Sequence, residues 1–189
     1  MGRAGYRRPV RWELLFADLE AFAEGTERSA FDADVADRAR AERALLTLAD
    51  RLRGHLGGAL TFRLLTGERV RGRLADVGPD WVLLDDGGSV VLPLAAVGGV
   101  EGLSRLAEPA AGVLARTARM NLVLRRLSRD RAAVRLVLLD SSTLTGTIDR
   151  VGADHLDLAQ HAPDEPRRAA TVRGVAVVRL GALAMVRAG

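Results

Sequence analysis

The chain has 189 residues and no Cys, so neither a disulfide framework nor a thiolate metal site is available to it. All 28 basic residues are Arg, which excludes chemistry that needs a lysine, such as that of a P-loop or a Schiff base. No apolar run approaches the roughly 20 residues of a membrane span, and the first residues show no apolar signal core. We therefore expect a soluble, cytoplasmic protein without a membrane partner.

The formal net charge of +4 is unevenly distributed along the chain. Residues 1–11 carry +4 and residues 104–135 carry +6, whereas residues 12–56 carry −4. The positive charge is thus concentrated in an N-terminal arm and in a segment near the middle of the chain.

Two helices are predicted after the basic arm. Residues 12–24 have apolar side chains at helical spacing, and Trp12, Phe16 and Phe22 make this stripe unusually aromatic. Such a stripe either packs on the rest of the chain or docks a protein partner. A second helix is predicted from about Ala30 to Arg53, after a cap-like Ser and Asp.

An internal repeat organises the remainder of the chain. The stretch VRGRLADVGPDWVLL at 70–84 recurs 74 positions later as LTGTIDRVGADHLDL at 144–158. Further on, VVLPLAAVGGV at 90–100 matches AVVRLGALAMV at 176–186, after twelve extra residues in the second copy. The extra length lies in a polar, Pro-containing loop at 160–172. Each copy predicts five short strands joined by tight turns, the size of a small closed barrel.

Between the two copies, residues 109–131 predict an arginine-rich helix. Its apolar side chains recur every three or four residues, and Arg119, Arg126 and Arg129 project roughly opposite to them. This basic face would either bind phosphates or pair with the acidic helices of residues 12–56.

A helix followed by five strands, with a Gly in the second strand and an ending of the form aliphatic-Pro-Leu-x-x-Val, resembles the Sm-like small barrel. The Sm-like proteins, which include the LSm and Hfq-like proteins, are relatives of the SH3-like barrels. Residues 70–74, 81–84 and 92–97 carry the resemblance, together with their counterparts in the second copy. It implies ring formation through the last two strands and binding of single-stranded RNA. The family's Asp-x-aromatic-x-Asn signature is missing from both copies, so no RNA contact carries over to a residue of this chain.

The fold class expected from these patterns is α+β, with a helical N-terminal segment followed by two tandem five-stranded Sm/SH3-like small barrels, each preceded by a helix. The predicted domains are a basic arm with a helical hairpin at 1–56, a first barrel at 57–103, a basic linking helix at 104–131 and a second barrel at 132–189. As a whole, with its opening RWELLFADLEA and its turns DVGPDW and DRVGADH, the chain also resembles an actinobacterial family often labelled Fis-like transcriptional regulators.

The sequence contains none of the common enzyme motifs. Asp154, His155 and Asp157, with His161 nearby, come closest to a metal site, but a solvated strand face is the better interpretation. We therefore predict no catalytic residue, no metal and no cofactor. Trp81 points outward where the second copy has His155, which indicates that a helix of the same chain, a partner or a stacked base covers it.

These observations predict a non-enzymatic, nucleic-acid-associated regulatory protein, with RNA favoured over DNA, that binds phosphates through the helix between the barrels. The predicted nucleic-acid-binding residues are Arg116, Arg119, Arg125, Arg126, Arg129 and Arg131 of the helix, with Arg3, Arg7, Arg8 and Arg11 of the arm. The alternative is a protein-interaction and oligomerisation scaffold. Its barrels would form homo-oligomers through their edge strands, and Trp12, Phe16, Phe22 and Trp81 would contact a protein partner.

Overall fold

The computed structural model describes residues 38, 40, 41, 44–110, 112, 117–162 and 172–188. The chain divides into two compact units, residues 1–46 and 47–189. Six residues of the first unit are described, and five of them have helical backbone. Some predicted site residues lie outside the described residues, namely Arg3, Arg7, Arg8, Arg11, Trp12, Phe16, Phe22 and Arg116. Within the described part of the chain, no helix combines the length and the apolar character needed to cross a membrane.

The second unit is built on ten described strands and two short helices. The helices are α1 (Leu48–Arg53) and α2 (Met120–Arg129). The strands of the first half are β1 (Ala59–Leu64), β2 (Arg69–Val77), β3 (Trp81–Asp85), β4 (Ser89–Pro93) and β5 (Val97–Glu101). Those of the second half are β6 (Ala133–Leu138), β7 (Thr143–Val151), β8 (His155–Gln160), β9 (Gly174–Arg179) and β10 (Leu183–Ala188).

Several strands, among them β1 and β2, form where apolar and polar side chains alternate. In β1, Leu60, Phe62 and Leu64 are buried and Arg63 is exposed, which is the pattern of a strand with one face on the core. Tight turns separate the strands of the first half, and Gly87, between β3 and β4, has a φ of 94° that favours glycine. Local sequence therefore accounts for the strand positions.

The internal repeat is also a repeat of strand register. Phe62 of β1 lies opposite Val100 of β5, and Leu136 of β6 lies opposite Val186 of β10. The first residues of these pairs are 74 positions apart and the second residues 86 positions apart, as in the sequence alignment on either side of the enlarged loop. Both halves also place a register shift in their second strand, after Leu74 in β2 and after Ile148 in β7.

The prediction of two separate five-stranded barrels is wrong. All ten strands belong to one antiparallel sheet, in the order β5-β1-β2-β3-β4-β10-β6-β7-β8-β9. The junction is the β4–β10 ladder, in which Val91 lies opposite Val186 and Val90 lies opposite Arg187. Pairing these strands satisfies backbone groups that each half would otherwise expose at an edge, which is the physical reason for a continuous sheet.

The two halves also share their cores at the junction. Val137 and Met185 of the second half pack into the hydrophobic cluster of the first half. In return, Trp81 and Val91 of the first half pack into the cluster of the second half, together with α2. Burial of apolar surface therefore reinforces the β4–β10 ladder.

The predicted helix from Ala30 to Arg53 is not continuous, because Leu46 and Thr47 are not helical and α1 begins at Leu48. Thr47 Oγ1 accepts the Asp50 N–H at 3.1 Å, and the Asp50 carboxylate accepts the Thr47 N–H at 2.9 Å. This reciprocal capping box starts a new helix at this point.

Candidate nucleic-acid interface

The start of α2 is held by the turn between β2 and β3. Asp80 Oδ1 accepts a hydrogen bond from the Met120 N–H at 2.9 Å, and Trp81 Nε1 donates to the Ala118 carbonyl at 2.7 Å. Arg119 adds an ion pair with the Asp80 carboxylate at 3.8 Å. A carboxylate from the first half of the chain therefore caps the helix and anchors it to the sheet.

Trp81 is covered by the chain itself. Its side chain is only 6% exposed and packs with Met120 and Leu124 of α2. The indole lies against Gly78, where an added Cβ would overlap the ring, so a residue without a side chain is needed there. An indole buried in this way is not available to a partner or to a nucleic-acid base.

The turn between β7 and β8 is the repeat counterpart of the turn between β2 and β3, and its residues Ala153 and Asp154 are exposed. His155 Nδ1 lies 2.8 Å from Asp154 Oδ1, and 42% of the His155 side chain is exposed. The hydrogen bond with His155 holds the pKa of Asp154 below its usual value. The two turns therefore share a sequence pattern but differ in environment, because α2 covers only the first.

His161 does not extend this turn into a metal site. It is buried, with Nε2 2.8 Å from Thr147 Oγ1 and Nδ1 2.8 Å from the Ala162 carbonyl, so both ring nitrogens already have partners. Among the described residues, no group of three His, Asp or Glu side chains is arranged to hold a metal ion.

The arginines of α2 lie on the side of the helix away from the sheet. Met120 and Leu124 are buried, whereas Arg125, Arg126 and Arg129 are exposed. Residues three and four apart share a helix face, so these three guanidinium groups project together. We call Arg125, Arg126 and Arg129 the α2 arginine face.

No carboxylate of the described residues lies within 4.0 Å of the α2 arginine face. Arg129 Nε donates to the Arg125 carbonyl at 3.4 Å. Arg126 and Arg129 are in the last turn of α2, where the helix dipole favours cations. This interaction with the helix dipole needs no carboxylate partner, and Arg125, Arg126 and Arg129 are all exposed.

Other arginines of the sheet are neutralised by carboxylates. Glu101 accepts hydrogen bonds from Arg63 at 2.9 Å and from Arg69 at 2.6 Å, and these bonds hold its pKa below the usual value. Arg187 pairs with Asp86 at 2.8 Å. One of the predicted nucleic-acid-binding residues, Arg119, is also paired with a carboxylate, that of Asp80.

The sequence also allowed an alternative, in which the basic helix pairs with the acidic residues of 12–56. Of those acidic residues, the structure describes Asp50. Asp50 pairs with Arg53 at 2.7 Å rather than with α2. The other acidic residues of that segment lie outside the described residues, as does the predicted aromatic docking helix, which stays a prediction.

A polar cavity of about 240 Å³ lies beside the C-terminal end of α2. It is lined by Ser128, Arg131, Thr147, Ile148 and Asp149. Arg131 follows the helix and is exposed. The sequence pattern identified Arg131 but gave no signal for Ser128 or Thr147, because a strand of the sheet brings Thr147 to this position.

No protein-family model matches the chain, and no curated protein matches it either. The resemblances to Sm-like proteins and to Fis-like regulators therefore stay predictions.

Proposed function

We propose that the protein is a non-enzymatic, nucleic-acid-associated regulatory protein of the cytoplasm that binds phosphate groups through the α2 arginine face. The observation that supports this most strongly is the grouping of Arg125, Arg126 and Arg129 on one exposed helix face without a carboxylate partner among the described residues. Guanidinium groups bind phosphate oxygens through paired, charge-assisted hydrogen bonds.

The anchoring of α2 favours such a site. Met120 and Leu124 are buried, and Asp80 caps the helix, so the backbone that carries the arginines is fixed to the sheet. Arg125 and Arg129 are four residues apart, which is little more than one turn, or about 6 Å along the helix axis. Neighbouring phosphates of one strand are therefore within reach of the same face.

The composition of this face favours binding without strong sequence preference. The helix Met120–Arg129 contains no aromatic residue, and stacking on aromatic rings is the usual basis of base recognition in single strands. RNA is favoured over DNA by the resemblance to Sm-like proteins. Binding should then depend mainly on phosphate contacts and weaken steeply with salt.

The test is fluorescence anisotropy of labelled single-stranded RNA and duplex DNA across a salt series. One variant replaces Arg125, Arg126 and Arg129 by Gln. A matched control replaces Arg71, Arg73 and Arg105, which are also exposed, and lowers the net charge by the same amount. Circular dichroism confirms the folding of both.

We expect the control to retain most of the wild-type affinity for RNA. The α2 variant should bind weakly, and its dependence of log Kd on log salt should be shallower by about 2, since each phosphate contact on a single strand contributes roughly 0.7. Equal losses in the two variants would contradict the proposed site. Absence of binding to either ligand at low salt would contradict the proposed function.

A further inference from the structure

A cleft of about 610 Å³ lies where the turn between β1 and β2 of the first half meets β6 and β10 of the second half. We call it the junction cleft. Its volume is within the range of roughly 300–1,000 Å³ that is typical of small-molecule sites. No residue of α2 lines it, so it is separate from the α2 arginine face. Its lining includes Glu68, Arg135, Val137, Ser141, Met185 and Arg187.

Two arginines lie side by side in the junction cleft. Arg135 of β6 is directly opposite Arg187 of β10 in the antiparallel ladder, so both side chains leave the same face of the sheet. Arg187 pairs with Asp86 at 2.8 Å, whereas no carboxylate of the described residues lies within 4.0 Å of Arg135. Like charges directly opposite each other destabilise a sheet. An anion bound between the two guanidinium groups would offset this repulsion.

The repeat shows that this pair of cations is specific to the second half. The counterpart of Arg187 in the first half is Glu101 of β5, 86 positions earlier in the chain. Glu101 accepts hydrogen bonds from Arg63 and Arg69 and neutralises them. In the second half an arginine stands in place of this glutamate, so the residue opposite Arg135 is a second cation instead of a carboxylate.

The turn between β6 and β7 adds a hydroxyl group to the cleft. Ser141 lines the cleft with a φ of 68°, in the left-handed region that favours glycine. Its counterpart in the first half is Gly67, with a φ of 86°. A side chain is unfavourable in this conformation, and strained residues of this kind are concentrated at ligand sites. The second half therefore carries a hydroxyl where the backbone is better suited to glycine.

We propose that the junction cleft binds a phosphorylated sugar. Arg135 and Arg187 hold the phosphate group through charge-assisted hydrogen bonds, to which planar guanidinium groups are well suited. The pairing of Arg187 with Asp86 fixes the direction of one of these groups before the ligand arrives.

The rest of the lining suits the sugar. The Glu68 carboxylate and the Ser141 hydroxyl accept hydrogen bonds from sugar hydroxyl groups. Val137 and Met185 are buried and form an apolar wall for the C–H groups of the ring. None of the described residues that line the cleft is aromatic, so a nucleobase has no ring on which to stack. A sugar phosphate is therefore favoured over a nucleotide.

The test is isothermal titration calorimetry on the full chain, freed of nucleic acid. The probes are glucose 6-phosphate, ribose 5-phosphate, adenosine monophosphate, inorganic phosphate and glucose. We expect both sugar phosphates to bind at one site per chain, more tightly than inorganic phosphate, glucose or adenosine monophosphate. Failure of both sugar phosphates to bind at millimolar concentration would overturn the proposal. Tighter binding of adenosine monophosphate would overturn the choice of a sugar phosphate.

Three variants test the residues of the cleft. Arg135→Gln should weaken the binding of both sugar phosphates by at least about tenfold, because a charge-assisted hydrogen bond is lost. Glu68→Gln should weaken it by about threefold without weakening the binding of inorganic phosphate, since Glu68 contacts the sugar. Ser141→Gly removes the hydroxyl from a backbone that suits glycine, and we expect a similar loss of about threefold.

The matched control is Arg105→Gln, which changes the charge by the same amount at an exposed position outside the cleft. It should bind the sugar phosphates as the wild type does. The Gln variant of the α2 arginine face should do so too, because the proposed cleft does not depend on the proposed binding of nucleic acid. If Arg135→Gln binds sugar phosphates as tightly as Arg105→Gln, the ligand does not occupy the junction cleft and the proposal is wrong.

Discussion

Asp50 shows how one side chain can serve both a helix cap and an ion pair. Burial raises the pKa of its carboxyl group, but the hydrogen bonds from Thr47 and the charge of Arg53 outweigh this effect, and the pKa lies below its usual value. The ionised form is therefore the one that stabilises the start of α1.

The pH dependence of this contribution follows from the direction of the shift. A carboxyl group with a lowered folded-state pKa contributes full stability above its ordinary value, here 3.8, and loses it as the pH falls through the folded-state pKa. We expect Asp50→Asn to lower the free energy of unfolding near neutral pH by about 1 kcal/mol, because a charge-assisted hydrogen bond becomes a neutral one. Urea unfolding at neutral and acidic pH should show this difference shrinking below 3.8. A difference that is independent of pH would contradict this role of the charge.

At the scale of the element, α2 owes its start to a contact from outside the helix. The described helix begins at Met120 within a stretch predicted to be helical over 109–131, and Ala118 and Arg119 are not helical. The cap comes from Asp80, 40 positions earlier in the chain. Periodicity therefore identified the helix and its arginines, but a distant carboxylate that determines the first turn leaves no local signal.

The repeat provides a matched pair for testing this cap. Asp80→Ala removes the acceptor for the Met120 N–H and should lower the free energy of unfolding by about 1 kcal/mol. Asp154→Ala, the same change at the exposed counterpart, should stay within about 0.5 kcal/mol of wild type. Chemical denaturation of both variants measures the comparison. If Asp80→Ala costs no more than Asp154→Ala, Asp80 does not act as the cap of α2.

At the scale of the whole molecule, the sequence predicts the strands but not which edges pair. Alternating apolar and polar side chains and turn residues indicate several of the strands, as in β1 and β2, and the 74-residue offset correctly relates the registers of the two halves. Val91 and Val177, however, occupy equivalent positions with the same local pattern, and one is buried while the other is exposed. Strand pairing between distant segments decides this difference, so local pattern alone suggested two closed barrels where the chain forms one sheet.

Amide hydrogen exchange on the full chain tests the continuous sheet most directly, because the pattern of exchange distinguishes an inner strand from an edge strand. An inner strand has backbone partners on both sides, whereas an edge strand has partners for alternate amides only. We predict slow exchange at every amide of Val90–Leu92 in β4, since β3 and β10 flank it, and alternating slow and fast exchange along β9. Alternating exchange in β4 as well would show that β4 is an edge, and would contradict the single ten-stranded sheet.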